Sequence, residues 1–185
     1  MTRAAPLLAC LVLGGCLSVG DSEPAAEWTL DLPAATAGFP VRVFLPAGLR
    51  APSVITQEPG DAPVTHPLDR WSTPLTAQLA KVIGAELAGL PLRSATVTFR
   101  RLEAGREGAL RAEASVEFQL SATPAPIVLE LSHAGSTEME HTSLGNAVEA
   151  YQGAAKAIGK GVRARVEAEL GEVAKPAGDV TVPAR

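Results

Sequence analysis

Residues 67–90 read PLDRWSTPLTAQLAKVIGAELAGL, and the architecture is decided by this stretch. Ser72 or Thr73 is placed to cap a helix whose first turn holds Pro74, a residue tolerated there because its missing N–H would be unpaired anyway. Leu75, Leu79, Val82, Ile83 and Leu87 recur at three- and four-residue spacing, so they share one face that must be buried. Gly89 and Pro91 predict the end of the helix. Asp69, Arg70 and Trp71 stand just ahead of the cap. One reading packs Trp71 under the helix start and leaves Arg70 in water, since tryptophan is largely buried in most folds. The other makes Arg70 and Trp71 a candidate partner interface.

Downstream, residues 95–102 alternate with Val97 and Phe99 inward, and residues 105–108 form a tight polar turn. The clearest strand is 110–120. Leu110, Ala112, Ala114, Val116, Phe118 and Leu120 share one face, while Arg111, Glu113, Ser115, Glu117 and Gln119 share the other. Such one-sided alternation belongs to an antiparallel sheet with one packed and one wet face. Residues 123–126 break this strand, 127–132 form another, and 133–142 read as a polar loop. Ser143 then caps a long helix with Leu144, Val148, Tyr151, Ala155, Ile158, Val162, Val166 and Leu170 on one stripe. Gly153, Gly159 and Gly161 each cost this helix about 1 kcal/mol against alanine. Glycine there either lets the helix lie close to the sheet or to the first helix, or marks a bend.

Upstream of the opening stretch, 28–32 reads as a first strand and 40–46 as a second, with Val41, Val43 and Leu45 on one face. Residues 47–52 form a turn and 53–58 a short extended segment. The sequence PGDA at 59–62 is a turn signal, and 64–67 completes a hairpin that delivers the chain to Trp71. Two amphipathic helices and several half-apolar strands bury their apolar sides together. The expected fold is α+β: a two-layer sandwich, mainly antiparallel, with two long helices packed on one sheet face. No internal repeat is present.

The first fifteen residues carry one charge, Arg3, and a short apolar run at 7–13. That run is too short to span a bilayer, which needs roughly 20 residues, but it suits a secretory signal. It ends in Leu13-Gly14-Gly15-Cys16, a leucine and two small residues before a cysteine, which resembles a bacterial lipobox. Cleavage before Cys16 and lipidation of that cysteine are expected; the alternative is an ordinary signal peptide with a chance cysteine. A buried methylene contributes about 0.8 kcal/mol, so a diacylglyceryl group plus an amide-linked chain such as palmitate anchors stably where one chain would not. Leu17 and Ser18 follow, with no aspartate at the second position, the pattern that accompanies outer-membrane export in enteric bacteria. The expected organisation is a signal peptide over 1–15, a lipidated tether over 16–26, one domain over 27–171 and a flexible tail over 172–185.

Cys10 leaves with the signal and lipid consumes Cys16, so no thiol remains for a disulfide, a metal or a nucleophile. Removing Arg3 with the signal shifts the formal net charge from −4 to −5, and an acidic surface argues against nucleic acid. With 46% hydrophobic but only 4% aromatic residues, Ala, Val and Leu must build the core. His133, Glu138, Glu140 and His141 share the sequence HAGSTEMEH, whose spacing matches no ligand motif with a physical basis, so no metal and no cofactor are expected. No G-x-S-x-G elbow and no phosphate-cradling glycine loop is found, so no enzyme is expected.

The chain resembles the ABC-type transport auxiliary lipoprotein family, that of the Pqi-type lipoproteins. The residues carrying the likeness are Val43-Phe44-Leu45-Pro46, Leu49, Arg50 and Pro52, Val54-Ile55-Thr56, Arg70-Trp71, Pro74-Leu75 and the helix through Leu87. The C-terminal helix matches in pattern, not in motif. The family often has an acidic residue where Thr73 stands and a basic one near Gln57, so any contact those side chains make is altered here. The resemblance implies an outer-membrane, periplasm-facing lipoprotein with no catalytic role. It would serve an intermembrane lipid transporter whose partners are an MCE-type (mammalian-cell-entry domain) protein and its ABC permease and ATPase, and a ring-forming homo-oligomer is among the implied assemblies. Competing readings are an assembly or pilot lipoprotein for an outer-membrane β-barrel or secretin, a lipid carrier with a cavity between helices and sheet, and a hydrolase or metalloenzyme.

Overall fold

The computed structural model describes residues 26–123, 125–136 and 143–173. The strands are β1 (Glu27–Trp28), β2 (Val41–Phe44), β3 (Ser53–Thr56), β4 (Val64–Trp71), β5 (Leu92–Ala104), β6 (Ala109–Leu120) and β7 (Ile127–Ser136). The helices are α1 (Leu75–Glu86) and α2 (Leu144–Val173), and a 3-10 turn covers Ala47–Arg50. The fold is α+β as expected, but its strands form two sheets. One has the order β1-β4-β3 and the other β2-β5-β6-β7. Two pairings are parallel, β1 with β4 and β2 with β5; the rest are antiparallel.

The four-stranded sheet follows the alternation of its strands. Val97 stands opposite Val116 and Phe99 opposite Ala114, and all four side chains are buried. The alternation breaks at Arg100-Arg101, and there the register of β5 against β6 shifts. The bulge absorbs the extra residue, so Leu102 and Ala104 return to the buried face while Arg101 and Glu103 point outward beside Glu113 and Arg111. The polar "loop" after residue 132 is instead strand: β7 continues to Ser136, with His133 beside Ala112 and Ser136 beside Ala109. Long pairing to β6 outweighs the weak strand preference of that segment.

The helices cover one face of this sheet. α1 is only 12 residues and lies against β2, whereas the 30-residue α2 crosses β5, β6 and β7. Each stripe residue expected in α1 is buried, and so are Val148, Tyr151, Ala155, Ile158, Val162 and Val166 of α2. Two glycines of α2, Gly159 and Gly161, sit at close approaches to neighbouring elements. A Cβ on Gly159 would lie 2.6 Å from Glu86 Cβ on α1, and one on Gly161 would lie 3.1 Å from Leu131. Arg163 closes the end of α1, its Nε donating to the Glu86 carbonyl at 2.6 Å and its Nη2 to the Ala88 carbonyl at 2.8 Å.

Three local expectations change. The first strand stops at Trp28 because the backbone of Leu30 and Asp31 bonds to side chains: the Leu30 N–H donates to Gln78 Oε1 at 2.7 Å and the Asp31 N–H to Gln152 Oε1 at 2.9 Å. Neither Ser72 nor Thr73 caps α1. The N-cap is Pro74, while the Ser72 hydroxyl bonds to that of Thr29 and Gln78 Nε2 donates to the Thr73 carbonyl. The hairpin reaching Trp71 is present, but β4 runs eight residues rather than four. Ser143 does cap α2, its Oγ accepting from the Asn146 N–H at 3.2 Å.

Candidate functional site

Arg70 and Trp71 lie at the last two positions of β4, paired with Glu27 and Trp28 of β1. Three hydrogen bonds fix the corner. The Arg70 N–H donates to the Ala26 carbonyl, the Trp71 N–H to the Pro52 carbonyl and the Ser72 N–H to the Trp28 carbonyl, each at 2.9 Å. Trp28 Nε1 also donates to Asp69 Oδ1 at 2.9 Å. The two named residues part company here. Arg70 is exposed, while Trp71 is 7% exposed and meets the Tyr151 ring edge-on, with centroids 5.7 Å apart. The indole therefore belongs to the core and shows only a margin to a cleft it shares with Arg50, Pro52 and Thr73. The corner leaves Arg70 exposed on a backbone that the buried Trp71 holds in place.

Tyr151 joins the layers. Its hydroxyl donates to the Ile55 carbonyl at 2.6 Å, tying α2 to β3, and burial pushes its phenol well above the ordinary value.

Of the remaining sequence candidates, Cys16, Glu138, Glu140, His141 and the tail beyond Val173 lie outside the described residues. His133 sits in β7 and His66 in β4, where its Nε2 shares a hydrogen bond with Thr56 Oγ1 at 2.9 Å. No cluster of three metal-ligating side chains occurs among the described residues, and none of their helices is long and apolar enough to cross a membrane.

One site escaped the sequence reading. A cavity of about 370 Å³ opens between the 3-10 turn, the β3–β4 hairpin and residues 100–103 of β5. Pro46, Leu49, Ile55 and Leu102 give it apolar walls, and Arg100, Arg101 and Glu103 line it as well. Glu103 is 5% exposed. Its Oε1 receives Arg101 Nε at 3.1 Å, and its buried Oε2 has no hydrogen-bond partner. Arg101 also reaches Glu113 at 3.5 Å, Arg111 holds Glu113 at 3.1 Å, and Arg100 pairs with Glu130. The bulge puts the carboxylate there. Its only sequence signal was the Arg100-Arg101 doublet interrupting an alternating strand.

No family model matches the chain, and no curated protein matches it. Among solved structures, the fold is similar to an uncharacterized protein with a TM-score of 0.60 and 15% identity, covering 78% of this chain and 99% of that one. It is also similar to protein XCC0632 from Xanthomonas campestris, of the family model DUF330. That likeness has a TM-score of 0.54 and 14% identity, covering 83% of this chain and 92% of that one. At such identities the likeness establishes the fold alone.

Proposed function

We propose that the chain is a lipoprotein anchored in the outer membrane through Cys16, faces the periplasm, and acts as a non-catalytic accessory of an MCE-type ABC intermembrane lipid transporter. The observation that carries this reading is where the anchored end joins the fold. The Ala26 carbonyl accepts from the Arg70 N–H, so the tether enters at the Arg70 corner itself. Ala26 lies ten residue steps beyond Cys16, a reach of at most about 35 Å, which keeps that corner close to the bilayer surface. In this role the domain holds the outer end of a lipid conduit against the acceptor membrane, with energy supplied by the permease and ATPase.

Mild crosslinking of the acylated protein in membranes, followed by affinity recovery and mass spectrometry, tests it. Recovery of an MCE-domain protein with its permease is expected, with recovery reduced at least fivefold by Arg70→Glu while the fold is kept. Recovery of a β-barrel or secretin instead would replace this reading with that of an assembly lipoprotein. A mature species without acyl mass would remove the anchor.

A further inference from the structure

We propose that two copies of this chain join through their β7 edges, so that their four-stranded sheets continue into one sheet of eight strands. This goes beyond the anchoring and accessory role proposed above. β7 is ten residues long, and among the described residues no strand pairs with its other side. Natural proteins protect such edges with lysine, proline or a bulge. β7 has no lysine or proline, and its pairing with β6 runs to Ser136 without a register shift. Its inward side chains are also incompletely covered. Ile127, Leu129 and Leu131 are half-buried, whereas Phe118, Val116 and Ala114 opposite them on β6 are at most 1% exposed.

The flank of α2 selects the partner. Ala157, Gly161, Ala164 and Ala168 stand at i, i+4, i+7 and i+11, so they share one face. A Cβ on Gly161 would lie 3.1 Å from Leu131, which places this face on the β7 side. Ala157 and Gly161 are half-buried, and Ala164 and Ala168 are exposed. A lone peptide strand would pair with β7 and leave this stripe in water, whereas a second copy related by a two-fold axis covers both. α2 has reached the edge strand at Gly161, so the axis brings the two helices to about 10 Å there, a packing distance that small residues permit. Charge sets the register. Glu130 is the only Asp, Glu, Lys or Arg in β7, and like charges beside each other across a strand pair repel. A two-fold through Ser132 places Glu130 opposite Ala134 of the second copy, away from its own counterpart. The same register sets Val128 opposite Ser136, Leu129 opposite Gly135 and Leu131 opposite His133. Each Glu130 keeps its pairing with Arg100.

The test uses the full, acylated chain in detergent, with the protein mass per particle read by light scattering across a dilution series. A two-chain particle that dissociates on dilution is expected, and amide hydrogen exchange over residues 127–136 should quicken as it does so. Ala164→Glu and Ala168→Glu each put like charges across the two-fold at exposed positions, and each should raise the dimer dissociation constant about tenfold or more. Lys81→Glu, exposed on α1 at the β2 side of the sheet, should leave it unchanged. Ser132→Cys should form an intermolecular disulfide on mild oxidation, and Glu117→Cys, exposed one strand inward on β6, should not. One chain per particle at every concentration overturns the proposal, as does a dimer that withstands both alanine variants or forms no disulfide through position 132. Slow exchange of β7 that dilution leaves unchanged would assign the edge to another segment of the same chain and overturn it too. None of these outcomes bears on recovery of an MCE partner, so the transporter reading stands or falls separately.

Discussion

Replacing Tyr151 with phenylalanine removes one hydroxyl and leaves the ring against Trp71 in place. The Ile55 carbonyl then loses its 2.6 Å donor inside the protein. A buried acceptor left unpaired costs about 1–3 kcal/mol, so a loss of about 1.5 kcal/mol is expected near neutral pH. The same substitution changes the alkaline limb in the opposite direction. The phenol of the folded chain titrates above the ordinary value of 10.0 because burial disfavours the phenolate. Above that pH the unfolded chain has released its proton while the folded chain still holds it. The contribution is therefore complete below about pH 10 and is lost as pH rises, at about 1.4 kcal/mol per pH unit. The variant lacks this term, so the stability gap should close near pH 11. Urea unfolding of both proteins at a series of pH values, followed by tryptophan fluorescence, measures the gap. The sequence holds a single tyrosine, so tyrosinate absorbance reports this residue alone. A folded protein whose tyrosine titrates normally near pH 10, or a gap constant from about pH 8 to 11, would refute the reasoning.

Two further outcomes follow from the packing of α2. Gly159→Leu should destabilise the domain by about 1–3 kcal/mol in thermal unfolding, despite a helix-propensity gain of about 1 kcal/mol, because its Cβ would meet Glu86 at 2.6 Å and force the helices apart. Arg163→Ala should cost about 1–2 kcal/mol in urea unfolding by freeing the Glu86 and Ala88 carbonyls at the end of α1. Arg163→Lys should recover only part of that loss, since an ammonium cannot span both carbonyls with the geometry of the fork. A lysine variant as stable as the native chain would show that charge alone, and not the planar fork, holds the end of α1.

The parts of this protein legible in its sequence are those with one dominant local signal. The stripe through Leu75, Leu79, Val82, Ile83 and Leu87, the strict alternation of 110–120 and the long stripe of α2 each fix an element and its buried face, because a 3.6- or 2-residue period allows one orientation. The tertiary structure decided matters in which partners distant in the chain compete for the same groups. Leu30 and Asp31 leave the strand pattern because Gln78 and Gln152 take their N–H groups. His133 to Ser136 become strand because β6 is long enough to pair with them. Trp71 resolves to the core because Tyr151 lies 96 residues beyond the carbonyl of Ile55 that anchors it, a closure no local pattern records. Glu103 is the clearest case. In the sequence it is an ordinary carboxylate in a strand, and only the bulge at Arg100 together with the cover of a distant hairpin leaves its Oε2 buried and without a partner. Local periodicity sets which way a residue faces, but burial on that face depends on what the rest of the chain places over it.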